Sequence, residues 1–433
     1  MSTGRREIRA PRVYPAAMEP AAPATAGAID FTLPPHLQEL LGRVRAYVAE
    51  DVLPAEREVA DPTDLLASWS VVEGLRERAR ERGIFTPHLP GEWGGLGIGV
   101  LGMSLISQEC GVSALASLGL HAMAPDEGNM HILLHAGRPE QLERWLRPLA
   151  EGRIRSCFAM TEPDVASSDP LNLETTALLD GDEHVLNGRK GFITGAEGAA
   201  FSIVVARTGA PDLKHRAYSL IIVPCDAPGW RVVRDPGVIG AHFPGGHPEI
   251  ELRDVRVPVE NLLGEEGAGF RIAQVRLAAG RLAHAMGWIG VAQRALDLTA
   301  QRMLERRTFG RELARHQALQ FFLADSAMDL YASRLMVLHT AWKVEKGLPH
   351  RQEVAMAKTF VSEAFGRVMD RAVQVFGSHG IATDEPIARW YADARAARIY
   401  DGASEVHRMV IARELLKLAG QGGSTRSACG DLG

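Results

Sequence analysis

The spacing of hydrophobic positions changes twice along the chain. Over residues 35–149 apolar side chains recur at helical intervals. Leu37, Leu40, Leu41 and Val44 mark the inner face of one helix, and 106–118 reads as a single buried helix. The run Pro90-Gly91-Glu92-Trp93-Gly94-Gly95-Leu96-Gly97 interrupts this pattern. It is too rich in glycine for helix or strand, and such loops either line a site or simply turn the chain.

The period then becomes that of strands. Short β-type runs fall at 156–161, 176–179, 184–186, 192–194, 201–206, 218–223, 230–233 and 249–252, separated by turn clusters such as Asp180-Gly181-Asp182 and Asn187-Gly188. Many strands without helices between them predict an antiparallel barrel or sandwich. No G-x-G-x-x-G follows a strand, so a dinucleotide would not be held in the Rossmann manner.

Beyond Phe270 the helical period returns. Val275, Leu282, Met286, Ile289, Ala292 and Leu296 form one stripe, and Val354, Ala357, Val361, Ala364, Phe365, Val368, Ala372 and Val375 form another. The segment 319–341 is helical and ends at Gly347-Leu348-Pro349. Long apolar helices joined by short loops predict an antiparallel bundle. The expected architecture is mostly α with a central β domain: a helical domain (29–155), a β domain (156–265) and a four-helix bundle (266–420) between a disordered tail (1–28) and a flexible one (421–433).

Composition narrows the function. A net charge of −5 over 433 residues excludes a general nucleic-acid binder, because neutralising phosphates requires a basic face. Cys110, Cys157, Cys225 and Cys429 are scattered without metal spacing, which points to a reducing compartment and gives no metal site. No apolar run reaches membrane-spanning length. Arginines at 5, 6, 9 and 12 hint at a transit peptide, but Glu7, Glu19 and the prolines break any amphipathic helix there, so the expected location is cytoplasmic rather than mitochondrial.

Near the C-terminus, Tyr400-Asp401-Gly402-Ala403-Ser404-Glu405-Val406-His407-Arg408 places a carboxylate on a breaker pair. Ser404 stands where it would cap a following amphipathic helix. An Asp in such a turn is ordinarily structural. Its company argues otherwise.

Thr161-Glu162-Pro163, Arg306-Arg307-Thr308-Phe309-Gly310 with His316-Gln317, Gln374-Val375-Phe376-Gly377 and the Tyr400-Asp401-Gly402 turn together resemble the acyl-CoA dehydrogenase family over residues 35–420. Ala124-Pro125-Asp126-Glu127-Gly128-Asn129-Met130, Ser167-Ser168-Asp169, Gly245-Gly246-His247-Pro248-Glu249-Ile250 and Glu405-Val406-His407 are similar to the subgroup of large animal long-chain enzymes that carry Asp as the base.

The resemblance implies an FAD enzyme acting on an acyl-CoA or acyl-carrier thioester, with electron-transfer flavoprotein as acceptor and a dimer or tetramer as the assembly. By similarity Asp401 is the catalytic carboxylate, where most members carry Glu, and the alternative base position falls on Gly280, which can do no proton chemistry. The implied flavin contacts are Met160, Thr161, Ser167, Phe192, Thr194, Ala403 and Glu405, with Arg306, Phe309, Gln317, Gln374 and Gly377 reaching the cofactor of a neighbouring subunit. Ser168, Arg281, Gly402 and Arg408 are implied substrate contacts. Phe192 stands where Trp is usual, Ser378 where Gly is, and Ala403 and Glu405 where Thr and Gln are. Two other readings stay open: a flavin oxidase of the same fold, resembling nitroalkane-oxidising members with Asp at this position, and a non-catalytic acyl-carrier-binding relative.

Overall fold

The computed structural model describes residues 31–59, 69–240, 243–383 and 385–422; the tail expected at 1–28, and nearly all of that at 421–433, lie outside the described residues. Helices Pro35–Tyr47, Trp69–Glu81, Gly99–Cys110, Ala114–Gly119 and Asp126–Ala136 make up most of the first region. The face read from Leu37, Leu40, Leu41 and Val44 is buried. The single helix expected over 106–118 is instead two, broken at Gly111-Val112-Ser113. A Cβ on Gly111 would lie 2.2 Å from the carbonyl oxygen of Gly287, and one on Gly290 2.2 Å from that of Gln108. Two backbones cross there at a distance only glycine allows, and periodicity cannot show which glycine meets a distant segment.

The middle region is a sheet of eight strands: β1 (Ser156–Ala159), β2 (Thr176–Asp180), β3 (Glu183–Lys190), β4 (Phe201–Arg207), β5 (Tyr218–Pro224), β6 (Trp230–Arg234), β7 (Glu249–Pro258) and β8 (Leu262–Leu263). The order is β6-β7-β3-β2-β4-β5-β8, with β1 also on β4. Most pairs are antiparallel as expected, but β1 and β2 run parallel to β4, so the sheet is mixed. Two corrections follow. Asn187-Gly188 is not a turn but an irregularity inside β3, where the register against β7 shifts. Residues 192–194 form no strand, because Phe192 adopts φ 57° and turns the chain away from the sheet.

β4 and β5 are continuous apolar runs for a physical reason: both of their faces are covered. Phe201, Ile203, Leu220 and Ile222 pack with Met130, Leu133 and Trp145 of the first region, while Val204, Ile221 and Val223 pack with Ile250, Leu252 and Val255 of β7.

The bundle comprises Gly269–Glu305, Gln317–Glu345, Arg351–Phe376 and Ser404–Gly420, with Pro386–Ala397 laid against the third helix. Most of both expected stripes enters one core, in which Leu282, Met286, Ile289 and Ala292 meet Val354, Ala357, Val361 and Phe365, while Val275 is half-buried and Val375 lies in a separate small core. Ser404 is the first residue of the last helix rather than its cap. Ala403 holds the cap position, and the Ser404 N–H is satisfied by the Arg398 carbonyl across the Asp401 turn. Among the described residues no helix is long and apolar enough to cross a membrane, and no cluster of His, Cys, Asp or Glu could hold a metal ion.

Candidate active site

Asp401 sits at φ 57°, a left-handed conformation that Asp tolerates and that Gly402, at φ 97°, continues. Three side chains hold the main chain of this turn. Arg281 Nε donates to the Asp401 carbonyl at 2.8 Å, His407 Nε2 reaches the same oxygen at 3.1 Å, and Lys358 Nζ donates to the Gly402 carbonyl at 2.7 Å. Trp288 Nε1 donates to the Tyr400 hydroxyl at 2.9 Å and fixes the residue before it. The carboxylate itself meets His284, whose Nδ1 lies 2.5 Å from Asp401 Oδ2.

Arg276, Gly280, Arg281 and His284 come from the first bundle helix and line a small recess with Ala124, Glu127, Gly128 and Asp401. Burial pushes the Asp401 carboxyl upward, but His284 beside it, with Arg281 and Arg276, outweighs this and holds it well below the usual carboxylate range. Burial likewise pulls His284 down, and Asp401 more than compensates, so the imidazole ends above its ordinary value. Glu127 is paired with His131 at 3.1 Å, one helical turn along. Of the residues gathered here, Asp401, Arg281 and Gly402 are candidates from the sequence, and His284, Arg276, Lys358 and Trp288 are not. Their helical spacing marks them only as positions on long helices. Their positions on the inward side, opposite the Asp401 turn, are set by how the helices pack.

A second group gathers at the edge of the sheet. The Gly191 N–H donates to the Thr161 carbonyl at 2.8 Å, and Lys190 Nζ to the Met160 carbonyl at 3.1 Å. The N–H groups of Ile193 and Gly195 donate to the carbonyls of Pro248 and Gly246, and Thr194 Oγ1 meets His247 Nδ1 at 3.0 Å. Met160, Thr161, Phe192, Thr194 and the Gly245–Glu249 motif are thus one corner. Phe192 stands 56% exposed on it. Asp126 ties the helix Asp126–Ala136 to the start of β1 by accepting from the N–H and hydroxyl of Ser156. Ser167 Oγ accepts from the Glu162 N–H at 2.9 Å and so closes its own loop, while Ser168 is exposed.

Arg306, Phe309, Gln317, Gln374 and Gly377 form a third group at one end of the bundle, where Met303, Leu313 and Val375 share a small core. Arg307–Thr308 pairs antiparallel with Arg311–Glu312, and Phe309 projects from the tip of this hairpin at φ 47° and is 93% exposed. The group lies apart from Asp401 in the same chain, since Lys358, which touches the Asp401 turn, and Gln374 are separated by roughly 24 Å of helix rise. Arg408 pairs with Glu363 at 2.7 Å on the surface. Ala403 is half-buried at the head of the last helix, and Glu405 is exposed in its first turn.

The family's N-terminal, middle and C-terminal domain models match residues 34–153, 157–255 and 267–416, each described as a domain of acyl-CoA dehydrogenase. The chain therefore belongs to the acyl-CoA dehydrogenase family, whose members are FAD-dependent flavoproteins. It is 40% identical to the probable acyl-CoA dehydrogenase FadE2 of Mycobacterium tuberculosis, over 89% of this chain and 96% of that one. It is 39% identical to acyl-CoA dehydrogenase family member 11 of Gallus gallus over 88% of this chain, but spans only 50% of that longer relative. The solved butyryl-CoA dehydrogenase of Megasphaera elsdenii superposes with a TM-score of 0.78 at 31% identity, covering 90% of this chain and all of that one.

Proposed function

We propose that the protein is an α,β-dehydrogenase of acyl thioesters, on coenzyme A or a carrier protein, in which Asp401 removes the α-proton as hydride leaves the β-carbon for flavin N5. The observation that carries this reading is the Asp401 turn: an ionised carboxylate at the mouth of a recess, on a main chain held by Arg281, His407 and Lys358. An α C–H next to a thioester carbonyl is weakly acidic, and a fixed, half-buried carboxylate is a group that can take such a proton. FAD, when bound, supplies the two-electron acceptor.

The corner residues fit that cofactor. Phe192 offers an exposed aromatic face beside the backbone of Met160 and Thr161, and a left-handed aromatic residue left in solvent is a surface built for a partner. Exposed Phe309 at the far end of the bundle supports the same argument for the group around Arg306, which completes the flavin site of a neighbouring chain in a dimer, itself paired into a tetramer. Electrons then pass to an electron-transfer flavoprotein.

The test is anaerobic stopped-flow reduction with a panel of acyl thioesters. Asp401→Asn retains shape and hydrogen bonding but cannot accept the proton, so flavin reduction falls by about 10²–10⁴ while FAD content is unchanged. Reduction at the wild-type rate places the base elsewhere. Rapid reoxidation of the reduced flavin by oxygen would instead make the protein an oxidase.

A further inference from the structure

The clamps on the Asp401 turn act on its main chain: Arg281 and His407 hold one carbonyl and Lys358 the next. They leave the carboxylate free to rotate about its own bonds. The contact that stops this rotation comes from His284, at 2.5 Å from Oδ2. His284 is itself held in place, with its ring 6.3 Å from that of Trp288 and edge-on to Tyr400 at 6.2 Å. Trp288 and Tyr400 are in turn joined by their own hydrogen bond. The imidazole, the indole and the phenol thus form one packed unit whose polar tip points at the base.

We propose that His284 is the positioning residue of the reaction: neutral, its Nδ1–H pins Oδ2 and leaves Oδ1 to receive the α-proton, and protonated, it locks the carboxylate into an ion pair that is a poorer base. This rests on the reading of Asp401 as the base. In the active form the α C–H bond breaks, its proton goes to Oδ1, and its electron pair becomes the α,β double bond as hydride leaves the β-carbon for the family's two-electron flavin acceptor. His284 keeps its own proton throughout. One ionisation of the pair then governs the rate, and its active form is the one with neutral imidazole and ionised carboxylate.

The charges facing His284 set the direction of that ionisation. Asp401 from the turn and Glu127 from helix Asp126–Ala136 favour the imidazolium, while Arg276 from its own helix opposes it. Arg281 and Lys358 are directed at the turn's carbonyls, as is His407. Burial disfavours the charged ring, but the charge and hydrogen bond of Asp401 together outweigh it, so the imidazole gains its proton above its ordinary value. Flavin reduction should therefore rise with pH through a midpoint above about 6.5.

Two variants separate orientation from charge. His284→Asn presents an amide N–H where Nδ1–H was and carries no titrating group, whereas His284→Ala removes both. The FAD-loaded enzyme is reduced anaerobically by an acyl thioester from pH 6 to 9, and ¹³C-histidine NMR follows the His284 resonance, identified by its loss in either variant. His284→Ala should be slower by about tenfold or more at high pH, in line with the cost of a misplaced base, and should also lack the acid limb. His284→Asn should remain within about tenfold of wild type at high pH and lose the acid limb. The His284 resonance should titrate above the ordinary range and move down in Asp401→Asn. An unchanged acid limb in His284→Asn, wild-type rates in His284→Ala at high pH, or a resonance indifferent to Asp401→Asn overturns the proposal. If His284→Ala loses FAD, the limb in His284→Asn decides alone. Wild-type rates in Asp401→Asn defeat the reading of Asp401 itself, and this inference falls with it.

Discussion

Lys358 Nζ donates to the carbonyl of Gly402 at 2.7 Å, joining the middle of the third bundle helix to the residue after the candidate base. The lysine is buried among apolar neighbours of that helix, and burial pulls it down to about 8. Lys358→Met keeps the alkyl volume and removes a desolvated charge, but leaves a carbonyl without its donor. The first effect offsets part of the second, so the net loss should be about 1 kcal/mol, at the low end of the penalty for an unpaired buried group. The turn should loosen more than the fold does. Thermal melting and flavin-reduction rates measured together test this: a large loss of rate with a small loss of stability is the expected outcome.

Asp401→Glu is informative because it restores the residue most family members carry. It advances the carboxylate by roughly 1 Å, toward the recess and away from its alignment with His284. Partial activity with a shifted acyl-chain preference is expected across a chain-length series. Unchanged preference would show that the shorter side chain does not set the substrate's pose.

At the sheet corner, Lys190 and Glu162 form a buried pair at 2.8 Å, and Glu162 also accepts from the N–H groups of Glu174 and Thr175 at 2.7 and 3.0 Å. Glu162→Gln leaves the lysine buried without its counter-charge, which should cost about 3–5 kcal/mol in urea denaturation. Replacing both, as Glu162→Gln with Lys190→Met, should recover most of that loss.

Arg306→Ala tests the distant group. Because Arg306 is exposed at the end of the bundle, folding should be unaffected. FAD should be lost more readily on gel filtration, and sedimentation of the wild type should give a dimer or tetramer. A flavin-loaded monomer would remove the role proposed for Arg306, Phe309 and Gln317.

Acid should weaken the fold through buried histidines. Burial, chiefly, lowers His88 and His121 to about 3 and His407 to about 4. Each stays neutral in the folded chain while the unfolded chain takes up a proton below about 6.5, so stability is present above that pH and drains away as pH falls toward 4. His88 has both ring nitrogens buried without a partner among the described residues. His88→Phe should therefore be neutral or mildly stabilising at pH 7.5 and should shrink the loss between pH 6.5 and 4, as read from melting temperatures.

How far the chain could be read depended on the range of the interaction. The three regions, the inner faces Leu37–Val44 and Leu282–Ala292, and the carboxylate on its Asp-Gly turn were legible along the chain, because helix period, strand alternation and turn chemistry are local. It also carried the motifs that mark the family. The rest depends on contacts between distant segments. The break at Gly111 requires Gly290 across a helix crossing, the left-handed Phe192 requires the Gly245–Glu249 loop against it, and the parallel pairing of β1 with β4 requires both to fold onto one sheet. His284 stands 117 residues from Asp401 in the chain. Nothing near His284 in sequence distinguishes it from another polar residue on a long helix. Its role arises only where packing of the bundle brings the imidazole and the carboxylate within one hydrogen bond, in surroundings dry enough for each to alter the other's proton affinity.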